Sequence, residues 1–295
     1  MDPNKKIIII DCSALAHRVK HTMKGIEYEF MPTGVVFGFM MKLLQLSKKF
    51  NSNQFVFAFD SDRRTYKRKK IYSDYKNHTN KPKMTKEDKL LNSACYNQLK
   101  QLKTEILPKI GFVNLFRKKG YEADDIIASI VQNNKGEFII FSGDEDMYQL
   151  LNYADLYKPK KGLYTKFDFI EEYKIMPSKW YKVKAISGCN SDAVPGVFGV
   201  GEKTAIKFLK KECSLKTKQK ILDHKEIINR NIKLVKLPLK GLKPIFLKSG
   251  EILDLGNFID VCMSLNFQSF LYGEQLNTWE KSFGFINKNY TECPF

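Results

Sequence analysis

Three short runs of the chain are apolar at every position: IIII at 7–10, FVFAF at 55–59 and FIIF at 138–141. Unbroken apolar runs of this length, rich in β-branched and aromatic residues, read as strands buried on both faces. Segments with helical spacing lie between them, among them Val35–Lys49 and Ile126–Val131. Strands alternating with helices predict parallel pairing, hence an α/β fold with a mostly parallel sheet and flanking helices. After about residue 180 the pattern turns to helices and lysines, so a core at 1–179 and a helical domain at 180–295 are expected. No internal repeat is present, and residues 247–295 carry no interpretable motif.

The ends of the apolar runs carry acids. The first runs into Asp11, the second into Asp60 and the third into Ser142-Gly143-Asp144. In open parallel sheets ligands bind beyond the carboxyl ends of the strands, so these acids are expected at one crevice. Tyr121-Glu122-Ala123-Asp124-Asp125 then opens a helix whose apolar face is Ile126, Ile127, Ile130 and Val131. Acids in a first turn complement the helix dipole, which is the simpler account of this segment and of Asp144-Glu145-Asp146. Three carboxylates in four residues nevertheless repel one another unless a cation neutralises them. With Asp192 the candidates number eight: Asp11, Asp60, Glu122, Asp124, Asp125, Asp144, Asp146 and Asp192. All-oxygen ligands select hard ions, Mg²⁺ or Mn²⁺ before Zn²⁺.

Charge adds the partner. The 295 residues carry 50 Lys+Arg against 32 Asp+Glu, a formal net charge of +18. Asp60–Lys89 holds eleven basic residues against five acids, and Glu202–Lys248 fourteen against four. Such excess points to a polyanion, most often nucleic acid, the alternative being a solvated lysine-rich surface. Metals beside a nucleic-acid surface point in turn to two-metal phosphodiester hydrolysis. Ser61–Lys89 is expected to be too basic for burial and to begin a basic insertion running into helical segments near Lys89–Leu107. Its Tyr66, Tyr72 and Tyr75 are expected to stack on bases, whereas a plain surface loop would leave them idle. The six cysteines form no CxxC pair, no apolar run approaches the ~20 residues of a membrane helix, and MDPNKK leads straight into a strand. A cytoplasmic protein without leader, disulfide framework or membrane span is expected.

Gly196-Val197-Phe198-Gly199-Val200-Gly201-Glu202-Lys203-Thr204-Ala205 looks like a nucleotide loop but follows Pro195 with no strand before it. A glycine hairpin feeding a helix fits better, its free N–H groups holding a phosphate and Lys203 and Lys207 extending the grip. A purely structural hairpin is the alternative.

Asp11, Phe59-Asp60, GYEADDIIA (120–128), SGDEDMYQLL (142–151) and GVFGVGEKTA (196–205), in this order, resemble the 5′-nuclease family of flap endonucleases, phage 5′–3′ exonucleases and the 5′-nuclease domain of bacterial DNA polymerase I. TGVVFGFMMKLL (33–44) is also similar to the family's early helix. The resemblance implies a PIN-like 5′-nuclease core, a helical arch at about 61–107, and a helix–hairpin–helix at about 187–211 in the C-terminal helical domain. It implies that the eight acids hold two Mg²⁺ ions, replaceable by Mn²⁺. Tyr75-Lys76 matches the family's Tyr-Lys at the arch base, where the lysine helps stabilise the scissile phosphate, and Lys67 or Arg68 looks like the arch arginine. Gly199, Gly201, Lys203, Thr204 and Lys207 would grip the duplex, with K⁺ at the hairpin. One departure stands out: the family commonly reads Gly-Asp-x-x-Asp where this chain reads Gly188-Cys189-Asn190-Ser191-Asp192. The implied activity is that of a stand-alone, monomeric phage or viral replication enzyme, working in the host cytoplasm on DNA or RNA/DNA with a 5′ end or flap, beside a polymerase or single-strand-binding protein. The alternatives are an RNA-preferring, RNase H-like primer-removal nuclease and a non-catalytic DNA-junction module.

Overall fold

The computed structural model describes residues 5–77 and 84–286, so part of the expected insertion (78–83) and the last residues of the expected C-terminal domain (287–295) lie outside the described residues. The chain is an α/β protein with a mostly parallel sheet and flanking helices, as the apolar runs predict. It divides into two compact units: one takes the described residues of 1–59, 83–116 and 247–295, the other those of 60–82 and 117–246.

In the first unit the strand Ile7–Asp11 pairs in parallel with Gln54–Phe59, Ile8 opposite Phe55 and Asp11 opposite Ala58. Every residue of both strands is buried, which explains why neither sequence alternates. Asp11 leaves the strand as the cap of the helix Cys12–Thr22, its Oδ1 accepting from the Ala14 N–H at 2.9 Å. The helix Lys86–Gln101 starts at a capping box between Thr85 and Asp88 and realises the helical segment expected there. The segment from 247 onward, mute as sequence, completes this unit rather than a C-terminal domain. Its helices Leu255–Ser264 and Glu274–Phe283 bring in the buried Phe258, Trp279 and Phe283. Phe283 stacks on Phe55 at 5.6 Å and meets Phe112 edge-on at 6.2 Å. Large aromatics dominate the energetics of such a core, and here they join segments far apart in sequence. Gly111 permits the approach: its φ is +114°, and a Cβ there would lie 1.9 Å from the Ile252 carbonyl oxygen. Beside it Glu251 accepts from the Val113 N–H at 3.0 Å.

In the second unit Phe138–Phe141 runs parallel to Ala154–Lys158, and Gly162–Tyr164 returns antiparallel to the latter. The helix Ala123–Asn133 buries Ile126, Ile127, Ile130 and Val131, the face expected from sequence. The expected boundary near 179 falls inside this unit. The physical reason is Trp180, fully buried against Tyr148, Phe169 and Tyr173 with ring centroids 4.9–5.5 Å apart. From there Trp180–Ser187, a hairpin and Glu202–Leu209 form the expected helix–hairpin–helix. After the helices Leu215–Asp223 and Lys225–Val235 the chain returns as an extended strap, the Ile245 N–H donating to Ser129 Oγ at 3.1 Å. Among the described residues no helix is long and apolar enough to cross a membrane.

Burial pushes the Glu251 carboxyl up to about 7, against the stabilising amides of Val113 and Asn114. A carboxyl raised from 4.5 binds its proton more tightly folded than unfolded, so its contribution to stability is lost as pH rises towards 7. Glu251→Gln, which keeps an acceptor for Val113, is expected to flatten the loss of stability between about pH 5 and 8. Urea unfolding across that range checks this; an unchanged slope would contradict it.

Candidate metal centre

All but one of the eight candidate acids lie in the second unit. Asp11 belongs to the first, as the helix cap already described. The second-unit acids grade from sealed to open, and their chemistry changes along that gradient.

At the sealed end is Asp125, 0% exposed, facing Arg68, 2% exposed. Arg68 Nη1 and Nη2 donate to the two Asp125 oxygens at 2.6 and 2.8 Å, and Nε donates to the Leu234 carbonyl at 2.9 Å. Asp125 also accepts from the Leu239 N–H at 2.8 Å and the Glu122 N–H at 3.2 Å. Glu122 Oε2 lies 3.0 Å from Arg68 Nη1. Burial opposes the guanidinium charge, but Asp125 and then Glu122 outweigh it and hold its pKa above the ordinary value. This corrects two expectations. The basic stretch after Ser61 is not too basic to be buried, because its buried arginine meets buried carboxylates. Arg68, closed off from solvent, faces these carboxylates and not a substrate phosphate. Lys67 is turned to Tyr121, its Nζ donating to the hydroxyl at 2.6 Å.

Tyr75 corrects a third. Its ring is 1% exposed and packs with Ala185, Cys189, Val194, Leu234 and Val235, so it is core and unavailable to a base. Its hydroxyl reaches Glu122 Oε2 at 2.8 Å and Asp192 Oδ2 at 3.1 Å. Burial, then Glu122 and Asp192, raise its pKa against the pull of Arg68, so it serves as a neutral donor between two carboxylates. Tyr72 is half-buried beneath the Arg230 guanidinium at 4.4 Å; Tyr66 alone of the three is exposed.

Lys76 stands where the gradient turns. Its ammonium pairs with Glu122 and lies 3.4 Å from Asp192, while its backbone N–H donates to the Asp192 carbonyl at 2.7 Å. Its φ of +55° is a left-handed conformation that a lysine adopts only when its surroundings impose it. Burial disfavours its charge, yet Glu122, then Asp192, and also Asp124, keep its pKa above the ordinary value. Asp60 caps the same segment from the other side, accepting from the Ala123 N–H at 2.9 Å and pairing with Arg64.

At the open end Asp146, Cys189 and Asp192 each place one ligand atom within 4.8 Å of the others. Asp144 lies alongside, its Oδ1 accepting from the Asp146 N–H at 2.8 Å. Burial first, then the charges of Asp144 and Asp192, push the Asp146 carboxyl up to about 7 despite Lys184 and Lys76. The Cys189 thiol is buried, 3.9 Å from Asp146 Oδ2 and 3.0 Å from Ser191 Oγ, and burial followed by Asp146 and Asp192 raises it to about 12. It is a packed core residue and a wall of the acidic hollow at once. Carboxylates short of protein cations make a donor set that fits a hard divalent ion.

Lys184 was not evident from sequence. It bridges Glu202 at 2.6 Å and Glu145 at 3.8 Å, tying the hairpin's second helix to the acidic loop. A lysine in YKVKAISG has no distinguishing spacing, so only the fold exposes it. In the hairpin Val197 and Val200 are buried while Phe198 is 88% exposed; Lys203 and Lys207 are exposed and Thr204 half-buried on the following helix. Gly199 has a φ of +70°, and Gly201 is the extended residue that opens the helix.

Residues 6–174 match the 5′-3′ exonuclease N-terminal, resolvase-like domain. The chain belongs to the 5′–3′ exonuclease family. The 5′-3′ exonuclease of Buchnera aphidicola is 34% identical over 247 residues, covering 81% of this chain and 78% of that protein. DNA polymerase I of Thermus aquaticus is 32% identical over 227 residues, 75% of this chain, which spans only 26% of the polymerase. The T5 D15 protein co-crystallised with metal ions has the same fold, with a TM-score of 0.68 at 20% identity, covering 94% of this chain and 100% of that one.

In this 5′–3′ exonuclease family member Arg68 is the counter-ion of the sealed end. Arg68→Met would leave two buried carboxylates uncompensated and is expected to lower stability by about 3–5 kcal/mol. Equilibrium unfolding in urea measures it; a loss within ~1 kcal/mol would show that the carboxylates find another partner.

Proposed function

We propose that this family member removes primers or flaps, hydrolysing DNA or RNA/DNA near 5′ ends and branches with Mg²⁺ as its ion. Membership of the 5′–3′ exonuclease family makes it a metal-dependent 5′ nuclease. The finer reading rests on one observation: an under-compensated acidic hollow lies in the same compact unit as an exposed basic hairpin.

Ions held by Asp144, Asp146 and Asp192, with Asp60, Glu122 and Asp124, would supply an activated water and neutralise charge on the leaving oxygen. Asp11 joins that set on the resemblance alone. Asp125 holds Arg68, and through it the start of the helix that carries Glu122 and Asp124. Tyr75 fixes the orientation of Glu122 and Asp192 by donating between them. Lys76 is the cation at the edge of the hollow, and its charge counts most as negative charge builds in the transition state. Lys203, Thr204 and Lys207, with the open amides around Gly199 and Gly201, hold backbone phosphates and read no sequence. A K⁺ ion at the hairpin, a polymerase or single-strand-binding partner and a monomeric state belong to the same reading.

Cleavage of a 5′-flap duplex in Mg²⁺ tests it, with a DNA and an RNA 5′ segment compared. Asp144→Asn and Asp146→Asn are expected to abolish cleavage and keep binding; Lys76→Ala is expected to slow single-turnover cleavage at saturating enzyme more than it weakens binding. Binding without cleavage by the unaltered chain would leave a junction-binding module, and strong preference for the RNA segment would favour the primer-removal alternative. A flat salt dependence of binding, against a slope of roughly 0.7–0.9 per phosphate neutralised, would remove the hairpin from the grip.

Cys189 adds a test of its own. A neutral thiol is a poor Mg²⁺ ligand, and a softer ion tolerates it better. A high Mg²⁺ requirement relieved by Mn²⁺ is expected, with tighter metal use in Cys189→Asp. Metal titration of cleavage beside thermal melts checks this: unchanged metal dependence with a lowered melting temperature would reduce Cys189 to a packing residue.

A further inference from the structure

The second unit contains a cavity of about 710 Å³ for which neither the acidic hollow nor the hairpin has a use. It is lined by the strap and the end of the helix before it, by Tyr153, and by the segment that carries Arg68. Four lysines surround it, Lys67, Lys233, Lys236 and Lys240, and among the described residues none of its lining side chains is acidic. Among the described residues the two lysines with defined partners meet aromatic groups: Lys67 the Tyr121 hydroxyl and Lys236 the Tyr181 ring at 5.3 Å. Clustered cations without carboxylates are an anion site by charge alone. The cavity also has apolar surface, including Ile71, 37% exposed, and Tyr153, 49% exposed. An inorganic anion has no use for such surface. A nucleotide has use for both, with its phosphate at the ammonium groups and its base on the ring. Bases within a duplex are already stacked, so the occupant that can reach Tyr153 is unpaired.

The cavity is built on the hydrogen bonds that hold the acidic centre. The strap that lines it donates from Leu239 N–H to Asp125 and from Leu237 N–H to Gln149 Oε1 at 2.8 Å, and Arg68 is fixed to the Leu234 carbonyl. A strand held here is therefore held by the same backbone that positions Asp125 and Arg68. We propose that this cavity binds one or two unpaired nucleotides of a nucleic-acid strand, their phosphates on Lys233, Lys236 and Lys240 and a base on Tyr153. The proposal rests on the nuclease reading and adds to it a place for the single-stranded part of the substrate.

The test uses the full chain in chelator and an oligothymidylate of about eight residues carrying a photoreactive base. The expected result is a crosslink to Tyr153 that free thymidine monophosphate or pyrophosphate does not displace at equal phosphate concentration. Replacing Lys233, Lys236 and Lys240 together by Gln is expected to weaken binding and to lower the slope of log K against log salt by about 2, at ~0.7 per phosphate. These side chains are exposed, and the crosslink on the unaltered chain needs no variant. Crosslinks elsewhere that spare Tyr153, displacement by the free nucleotide at equal concentration, or an unchanged slope in the triple variant would each overturn the site. Cleavage of a 5′ flap without label on Tyr153 would overturn this site and leave the nuclease reading standing. Label on Tyr153 in a chain that cleaves nothing would support the site and overturn that reading.

Discussion

The bidentate contact of Arg68 with Asp125 is the constraint on which the second unit depends. A buried guanidinium and a buried carboxylate are each costly alone, and their planar fork makes the pair tolerable only in one geometry. Asp125 is spent entirely inside the protein, on Arg68, on the strap through Leu239 and on the backbone of Glu122. That commitment fixes the first turn of the helix Ala123–Asn133. Glu122 is in turn clasped by Arg68 and Tyr75 on one oxygen and by Lys76 on the other. A lysine at position 68 could supply the charge but not the fork.

From this sealed end outward, the compensation by protein cations thins. Asp125 and Glu122 have an arginine and a lysine, Asp192 shares Lys76, and Asp146 faces Asp144 and Asp192 with Lys184 drawn toward Glu202. The same residue types thus do two jobs, structural counter-charge at depth and ion binding near the surface, and depth alone separates them. Cys189 sits on that border. Its side chain belongs to the Tyr75 core while its sulfur looks onto Asp146.

The strands, the helix that carries Glu122 and the acidic loop were legible in the sequence because each is local: an apolar run, a helical stripe, acids at a strand end. What was illegible depended on distant partners. Tyr75 among lysines reads as a base-stacking residue until Cys189 and Val235 close around it. Arg68 reads as a phosphate contact until Asp125, 57 residues on, takes it up. Lys184 has no motif, and Phe283 gives no sign that its partner is Phe55. The boundary near 179 followed a real change of texture, but texture records surface composition, whereas Trp180 joins the core behind it.

The first unit is assembled from three stretches of chain, and its last aromatic pieces come from beyond residue 247, while residues 117–246 of the second form one unbroken stretch. On a ribosome this sets an order. The core around Trp180 has most of its chain available while Phe55 and Phe112 still lack Phe258, Trp279 and Phe283. The contacts that close the first unit span more than 170 residues and bear the largest loop-closure entropy in the molecule. The strand pair Ile7–Asp11 and Gln54–Phe59, apolar on both faces, consequently waits with one side uncovered until synthesis is nearly complete. In a nascent chain this pair, rather than the acidic centre, is the surface that chaperones meet.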